Sequence, residues 1–379
     1  MKLITDKTIA IVGGGPGGLT LARLLQMKGA KVKVFERDEY RHVRVQGATL
    51  DLHEESGLAA LEAAGLMNAF KENYRPGADY IRIADQNATI IYDEHQTIKE
   101  TDRPEIDRGP LRTILLDSLS SDSVVWDSYL INLQPHGESW ELQFKNGNKE
   151  IADIVIAADG ANSKIRPAIT SITPVYSGVT IIEGSVYNAA DTIPEINDLV
   201  KGGKVFAMGN EQTLIISSKG DGSLTYYIGF NARADWHLKS CPDLSDNQAV
   251  STWFKTHFPT WSEFWLPLFE HAATPFVVRP LMGMPTDQTW ETANNLTMLG
   301  DAAHLMPPYA GEGVNMAMQD ALELSNCLTN DQFTSVHAAL KYYEEKMLER
   351  TREIAQISVD QTIALHSKGA IEHMMGIIS

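Results

Sequence analysis

A glycine-rich run at residues 13–18, Gly-Gly-Gly-Pro-Gly-Gly, constrains the fold more than any other feature of this chain. Residues 8–12 form a short apolar, β-branched segment, which predicts a buried strand directly before the run. Apolar residues between positions 19 and 27 recur at helical spacing, and Gly29 is well placed to end that helix. Residues 32–35 predict a second strand. The order strand, glycine turn, helix, strand is a βαβ unit of a nucleotide-binding fold.

The spacing of the glycines predicts which part of a ligand this turn would hold. Gly13 allows the tight turn, Gly15 lets the backbone approach a pyrophosphate, and Gly18 lets the helix pack on the strand, while Gly17 lies in the same turn. The helix N-terminus offers N–H groups and a positive dipole end to the phosphates. Glu36, at the end of the second strand, can accept ribose hydroxyl hydrogen bonds and would repel a 2′-phosphate. The alternative is a glycine-rich turn without a ligand, and the motif alone does not separate NAD from FAD.

Composition excludes several classes of partner. The 379 residues contain 32 Lys and Arg against 49 Asp and Glu, a net charge of −17, and so acidic a surface would repel nucleic acid and anionic lipid. The two cysteines, Cys241 and Cys327, are far apart, which predicts neither a disulfide framework nor a metal site. The sequence has no run of 18 apolar residues, so we expect no transmembrane helix. We therefore expect a cytoplasmic protein with no nucleic-acid or membrane partner.

The rest of the chain predicts a nucleotide-binding fold that is interrupted by a second domain. Further elements of that fold are helices over 111–119 and 314–328 and strands over 154–158 and 295–299. Between them, alternating segments at 204–208, 213–217 and 223–229 are separated by glycine-rich turns, which is typical of antiparallel strands. A long, charged, periodic segment over 336–365 predicts a C-terminal helix. The expected domains are a nucleotide-binding domain (1–170 and 287–333), a substrate-binding sheet domain (171–286) and the C-terminal helix (334–379).

Two further motifs directly follow predicted strands. Residues 159–166 read Asp-Gly-Ala-Asn-Ser-Lys-Ile-Arg, and residues 300–304 read Gly-Asp-Ala-Ala-His and lead into the proline- and glycine-rich segment 307–315. In these motifs and their order the chain resembles the single-component (group A) flavoprotein monooxygenases, which are aromatic hydroxylases. The resemblance covers nearly the whole chain. It implies an α/β fold in which a Rossmann-like, hydroxybenzoate-hydroxylase-like FAD-binding domain is interrupted by an antiparallel-sheet substrate domain and followed by a long C-terminal helix.

The resemblance places FAD contacts on residues that match the family's motifs. Asp301 would bind the ribityl chain, because a carboxylate at a strand end can accept hydrogen bonds from its hydroxyls. Arg108 would contact FAD, with a salt bridge at a helix start as the alternative, and Asp159 would organise backbone near both FAD and NAD(P)H. His304 would pack behind the flavin. The segment that opens the next helix would direct N–H groups at the flavin N1–C2=O edge, where reduced flavin is negative, and its residues are Pro308, Gly311, Gly313, Val314 and Asn315.

Several stretches are similar, more narrowly, to the tetracycline-inactivating flavin monooxygenases. They are residues 36–38, 47–53 and 104–108 and, above all, residues 300–315. By this resemblance Arg37 would lie near the adenosine end of FAD, Arg44 would help to bind NADPH, and Asp51 would contact the flavin.

The sheet domain departs from that family. Glu183, Lys204 and Thr225 stand where the family's substrate-contacting glutamine, arginine and histidine align. These three residues are candidate substrate contacts, and Tyr309 would complete the pocket wall beside the flavin. The alternative for Glu183 and Lys204 is that they are two surface charges on a sheet.

The family resemblance implies a flavin monooxygenase of the EC 1.14.13 type. It would use FAD, NADPH (with NADH possible) and O2 to hydroxylate a polycyclic phenolic or enolic small molecule, with a tetracycline as the candidate substrate. A C4a-hydroperoxide of the flavin would carry the oxygen, so no catalytic side chain is expected. The alternatives are another aromatic or polyketide substrate, a dehydrogenase using NAD alone, and a non-catalytic ligand-binding protein with an FAD fold. The 300–304 motif argues against the dehydrogenase. We expect a monomer.

Overall fold

The computed structural model of the protein describes residues 3–43, 47–96 and 103–378. Within these ranges strands β1 to β17 occupy, in order, Thr8–Val12, Lys31–Phe35, Leu50–Asp51, Ile81–Asp85, Ile90–Asp93, Glu105–Ile106, Val124–Val125, Leu130–His136, Ser139–Phe144, Lys149–Ala152, Ile154–Ala157, Val175–Val186, Lys204–Gly209, Gln212–Ser218, Leu224–Asn231, Val277–Gly283 and Leu296–Met298. Helices α1 to α13 occupy Pro16–Met27, Ala59–Ala63, Met67–Lys71, Arg108–Asp117, Ala189–Thr192, Pro194–Val200, Trp236–Lys239, Asn247–His257, Pro267–Glu270, Asp301–His304, Gly313–Thr329, Val336–Leu365 and Ala370–Ile378. A π-helix over Glu54–Leu58 runs into α2, and short 3-10 helices lie at Glu94–Gln96, Arg166–Ala168, Glu263–Trp265 and Pro308–Ala310.

A five-stranded parallel sheet forms the centre of the nucleotide-binding fold. Its strand order is β17-β11-β1-β2-β7, and β1 pairs in parallel with both β2 and β11. β11 is buried along its whole length, as its apolar run predicts. The carboxyl ends of parallel strands meet at one edge of a sheet, so the glycine turn after β1, Asp159 after β11 and Gly300 after β17 lie along the same edge. The structure therefore confirms the predicted βαβ unit and the return of this fold after the second sheet.

A seven-stranded sheet forms the second layer, in the order β16-β12-β15-β14-β13-β4-β5. Its neighbours are antiparallel except β13 and β4, which are parallel. One face packs against α5, α6, α8 and α9 in an aromatic-rich core that contains Tyr226, Phe254 and Trp265. The opposite face packs against the 3-10 helix Pro308–Ala310, where Tyr309 packs against the cluster of Val179, Ile181 and Leu281. This second face is the one available to form a site together with the parallel sheet.

Two strands of the large sheet come from a part of the chain that the sequence assigns to the nucleotide-binding domain. β4 and β5 lie within residues 1–170, yet β4 pairs with β13, with Phe206 opposite Ile83. The sheet therefore does not follow the predicted domain bounds, which stay a prediction. Helices α5 to α9, inside the segment predicted to form a sheet domain, are additional elements not predicted from the sequence. They cover the outer face of the sheet, whose apolar side chains could not remain in water.

Two smaller sheets complete the strands of the described residues. β8, β9 and β10 form an antiparallel sheet in the order β10-β9-β8. β3 and β6 form an antiparallel pair in which Asp51 lies opposite Glu105. The β3–β6 pair matters for the site because it brings these two carboxylates to the junction of the two large sheets.

The C-terminal helix α12 has the bounds that its periodic pattern predicts. It is not the last element, because the chain leaves the helical conformation at His366 and a separate helix, α13, follows Gly369. Met374 of α13 packs against Ile83 and Met208 of the large sheet. The expectation of one helix over 334–379 is therefore corrected to two helices joined by a turn. None of the helices in the described ranges combines the length and the apolar character needed to cross a membrane.

Candidate functional site

The glycine turn after β1 has the shape that its spacing predicts. Gly13 has φ of +112°, and a Cβ there would collide with the carbonyl oxygen of Ala158. A Cβ on Gly18 would collide with the carbonyl of Gly13, so this glycine lets α1 approach the turn. Around Gly15, by contrast, no described residue other than its two chain neighbours lies within 4 Å of the Cβ position. The turn is closed on its sheet side and open at Gly15, where the α1 N-terminus can receive a phosphate group.

Glu36, which follows β2, is hydrogen-bonded to this turn. Its carboxylate accepts hydrogen bonds from the backbone N–H of Gly14 at 2.6 Å and of Asp38 at 3.0 Å, and the side chain is buried. A carboxylate oxygen can accept more than one hydrogen bond, so the predicted bond to a ribose hydroxyl remains compatible with this position. Arg37 follows it and is exposed. Arg44, the predicted NADPH contact, lies outside the described residues.

An arginine fastens the two later motifs to each other. Arg166 donates from Nε to the carbonyl of Ala302 at 2.7 Å, and from Nη2 to the carbonyls of Asp301 at 2.8 Å and Ala161 at 3.1 Å. Asp159 accepts from the N–H of Lys164 at 2.7 Å through Oδ2. The sequence places Arg166 in a motif but does not reveal this role, because its partners lie 135 and 136 residues away.

Asp159 keeps one acceptor available. Its Oδ1 is buried and has no hydrogen-bond partner among the described residues, and burial raises the pKa of this carboxyl. Buried polar atoms are nearly always satisfied by a partner. An orphaned carboxylate oxygen beside the sheet edge is therefore consistent with a bound polar ligand.

A buried aspartate shapes the turn that carries Asp301. Asp320, on α11, accepts from the N–H of Gly300 at 2.8 Å and pairs with His304 Nε2 at 2.6 Å through Oδ2. Its Oδ1 pairs with Arg350 of α12 at 2.6 Å. Burial acts to raise the pKa of Asp320, but His304 and Arg350 hold it below its usual range. Asp301 itself opens α10 and is exposed, so its carboxylate is available to a ligand.

Two short segments meet at the start of α11. Asn315 donates from Nδ2 to the carbonyl of Asp51 at 3.0 Å, and its Oδ1 accepts from the N–H of His53 at 3.0 Å. Gly311 has φ of +72°, and its Cβ position lies 3.4 Å from both carboxylate oxygens of Asp51. The predicted flavin contacts Asp51, Gly311 and Asn315 are thus brought together, with Pro308, Gly313 and Val314 on the same segment.

His53 lies between two carboxylates. Its Nε2 is 3.0 Å from Asp51 Oδ2 and its Nδ1 is 3.3 Å from Glu312 Oε1, and the side chain is only 3% exposed. Burial acts to lower its pKa, but the bonds to both carboxylates outweigh this and raise it to about 9. Sequence reasoning missed this residue, and no local pattern signals it, since Glu312 is far along the chain.

The charge on His53 predicts a specific pH dependence of stability. A histidine whose folded pKa is about 9, above the ordinary 6.5, stabilises the fold fully below pH 6.5 and loses that contribution as pH rises through 9. We expect His53→Gln to cost about 2 kcal/mol of unfolding free energy at pH 6 and little at pH 10. Urea unfolding of both proteins across this range measures the difference. A cost that does not change with pH would contradict the assigned charge.

Arg108 and Tyr227 hold the loop before β3 from two sides. Arg108, at the start of α4, donates from Nε to the carbonyl of Ala48 at 3.0 Å. The N–H of Ala48 donates to the hydroxyl of Tyr227 on β15 at 3.2 Å. Arg108 therefore holds this loop at the junction of the two sheets, and its contact with FAD stays a prediction.

The three predicted substrate contacts share one face of the large sheet but have other partners there. Glu183 pairs with Arg279 at 2.8 Å, and Lys204 forms an ion pair with the buried Glu105. Thr225 is only 1% exposed, and its hydroxyl is 3.2 Å from that of Ser185. The side chains of Glu183 and Lys204 are 14% and 17% exposed, so neither is the surface charge that the alternative interpretation required. Their roles toward a substrate stay predictions.

Tyr309 lies in a small polar cluster within an apolar wall. Its hydroxyl is 3.3 Å from His366 Nε2, which is also 3.2 Å from the hydroxyl of Thr213. His366 Nδ1 lies 2.8 Å from the carbonyl of Thr362 and must donate to it, which leaves Nε2 as an acceptor. Burial lowers the pKa of His366 to about 4 and raises that of Tyr309. The surrounding apolar side chains are Val179, Ile181, Leu281 and Tyr227.

Known proteins share the family and the fold of this chain. The model of the family described as "FAD binding domain" matches residues 6–358. The monooxygenase asqM of Emericella nidulans is 29% identical, over 88% of this chain and 86% of its own length. Among solved structures, Klebsiella pneumoniae HpxO complexed with FAD and uric acid has a TM-score of 0.78 at 19% identity, covering 98% of this chain and 92% of that one. The tetracycline destructase Tet(51) has a TM-score of 0.73 at 20% identity, covering 98% and 95%. At these identities the two structural likenesses show a shared fold.

Proposed function

Since this chain belongs to the FAD binding domain family and is an FAD-dependent monooxygenase of the aromatic-hydroxylase type, we propose that it hydroxylates a polycyclic phenolic or enolic small molecule. NADPH is the proposed reductant, with NADH possible, and O2 is the oxygen source. A tetracycline is the substrate we propose to test first. Another aromatic or polyketide substrate is the alternative.

The residues of the sheet edge fit FAD. The open side of the turn at Gly15 suits the pyrophosphate, and the exposed carboxylate of Asp301 suits the ribityl hydroxyls. Asp159, whose Oδ1 has no partner among the described residues, follows β11. This strand lies between β1, which precedes Gly15, and β17, which precedes Asp301. FAD supplies the redox and oxygen chemistry when it is bound. The residues of this chain bind it, orient it and exclude water.

The wall around Tyr309 carries the proposal of an aromatic substrate. It joins apolar side chains of β12 and β16 to one polar cluster, made by Tyr309, His366 and Thr213. Such a wall suits a flat, largely apolar ring system that carries a few polar groups. Because His366 Nε2 is an acceptor of low basicity, the cluster orients hydroxyl hydrogens and does not act as a strong base.

The ion pairs of Glu183 and Lys204 favour the alternative, which is another aromatic or polyketide substrate. By the resemblance, Glu183 and Lys204 would stand at substrate-contact positions of the tetracycline-inactivating enzymes, but Glu183 is paired with Arg279 and Lys204 with Glu105. A pocket whose charged side chains are already paired within the protein would select a substrate with a different arrangement of polar groups. The proposed NADPH role of Arg44, the monomeric state and the cytoplasmic location also stay predictions.

A turnover assay tests the proposal. With the FAD-loaded protein we expect NADPH oxidation to rise at least tenfold when the true substrate is added, together with O2 uptake and a product that is one oxygen atom heavier. Tetracyclines, polyketide phenols and simple phenols should be compared side by side, and NADH should be compared with NADPH. Tight binding of these molecules without any stimulated NADPH oxidation would contradict the proposal and favour a ligand-binding protein.

A further inference from the structure

Two carboxylates lie where the site should receive negative charge. Glu312 belongs to the segment 311–315, whose backbone N–H groups we expect to face the flavin edge that becomes negative on reduction. Asp51 lies against the same segment, with its carboxylate 3.4 Å from the Cβ position of Gly311. Like charges in a poorly hydrated site oppose one another strongly. The two carboxylates would therefore repel an anionic reduced flavin, and without another cation only the backbone N–H groups would offset this repulsion.

His53 lies between these two carboxylates and can offset their charge. It contacts Asp51 through Nε2 and Glu312 through Nδ1, and both ring nitrogens are thereby directed at carboxylates. Neutral imidazole has only one N–H, so two carboxylate partners favour the doubly protonated, cationic ring. The raised pKa of His53, about 9, agrees with this geometry. The cationic ring thus lies between the two carboxylates.

We propose that His53 is a positioning residue that acts as a buried counter-cation, pairing Asp51 with Glu312 so that the flavin end of the site can hold a reduced, anionic ring. The inference rests on FAD binding, which is part of the proposed function, but not on the identity of the substrate. In this role His53 acts on the cofactor through the two carboxylates.

The other charges around this trio largely cancel or face water. Lys204 of β13 approaches Asp51 and helps to lower its pKa, but it is also paired with Glu105 of β6. Glu54 and Glu55, which follow His53 in the π-helix, are exposed, so solvent screens them. Asn315, the α11 residue that binds His53 and Asp51, is uncharged. Among the described residues, the balance of charge at this end of the site therefore depends mainly on Asp51, His53 and Glu312.

Redox titration of four proteins tests the proposal: the wild type, His53→Gln, Glu312→Gln and the double variant. The FAD-loaded proteins, without substrate or NADPH, are reduced by dithionite with a reference dye. FAD takes up two electrons and one proton in this step and becomes anionic. We expect His53→Gln to weaken binding of reduced relative to oxidised FAD about tenfold, a potential about 30 mV lower. Glu312→Gln should shift the potential upward by a similar amount, and the double variant should return close to the wild type.

His95→Gln is the matched control, because His95 is also paired with an aspartate, Asp93 at 3.1 Å, but lies in the 3-10 helix that follows β5, the edge strand of the large sheet. It should leave the potential unchanged. FAD content and melting temperature are measured for every protein, since a purely structural role of His53 would alter these without opposite shifts in potential.

The proposal would be overturned if His53→Gln and Glu312→Gln shifted the potential in the same direction. It would also be overturned if the potential of the double variant were as low as that of His53→Gln. If His53→Gln does not retain FAD, the comparison of Glu312→Gln with the double variant decides, because the second substitution should then lower the potential. A wild type that binds no FAD would instead contradict the proposed function. Failure of every substrate in the turnover assay would leave these shifts unaffected.

Discussion

Replacing Asp301 by alanine is expected to weaken FAD binding about 10- to 100-fold. Asp301 opens α10 at the end of β17, with its own carbonyl held by Arg166 and its side chain exposed. Hydrogen bonds from ribityl hydroxyls to a carboxylate are charge-assisted and contribute about 1.5–3 kcal/mol, which accounts for the expected loss. Titration of the apo protein with FAD, followed by quenching of flavin fluorescence, measures the dissociation constant.

Stability of the apo protein separates this effect from unfolding. Since the Asp301 side chain is exposed, we expect Asp301→Ala to change the unfolding free energy of the apo protein by no more than about 0.5 kcal/mol. Asp301→Asn keeps an acceptor without the charge and should fall between the wild type and the alanine variant. A purified alanine variant with normal flavin content would count against the role assigned to this carboxylate.

Replacing Asp320 by alanine is expected to be the most destabilising single change at this site. The substitution would leave the guanidinium of Arg350, the ring of His304 and the N–H of Gly300 without their shared acceptor. Removing one partner of a buried ion pair costs about 3–5 kcal/mol. Urea unfolding should show this loss in the apo protein. FAD binding should weaken as well, because the Gly300 turn positions Asp301.

The exposed Asp243 provides a matched control for this change. It binds the N–H and hydroxyl of Ser245 at 2.9 and 2.6 Å, so it also loses local hydrogen bonds when replaced by alanine, but it is exposed. We expect Asp243→Ala to cost less than about 1 kcal/mol. A cost for Asp320→Ala as small as that of the control would show that the buried network does not maintain the turn.

The sequence predicts best the features that are local in the chain. The glycine turn, α1 and β2 follow from spacing within about 30 residues, and α12 has the bounds of its periodic segment. The order of the motifs also predicts that Asp159 and Gly300 lie at one sheet edge, since parallel strands bring their carboxyl ends together. Both predictions use rules that need no knowledge of side-chain partners.

Long-range pairs could not be predicted in this way. His53 and Glu312 come together where Asn315 binds the N–H of His53 and the carbonyl of Asp51, and each residue alone is an ordinary polar residue in the sequence. Lys204 was predicted to meet a substrate, and its ion pair with Glu105 depends on the β3–β6 pair, which spans two residues in each strand. Neither so short a strand nor its register has a recognisable sequence pattern.

The parallel pairing of β4 with β13 has a consequence for exchanging specificity between relatives. A chimera that replaces only residues 171–286 would import β12 to β16 while keeping β4 and β5 of the recipient. The register at Val205 and Phe206 would then join strands from two different proteins. A mismatch there would leave a hydrophobic strand edge open to pairing with other molecules. A chimera that takes residues 81–93 as well as residues 171–286 from the donor should therefore be soluble more often than one that takes residues 171–286 alone.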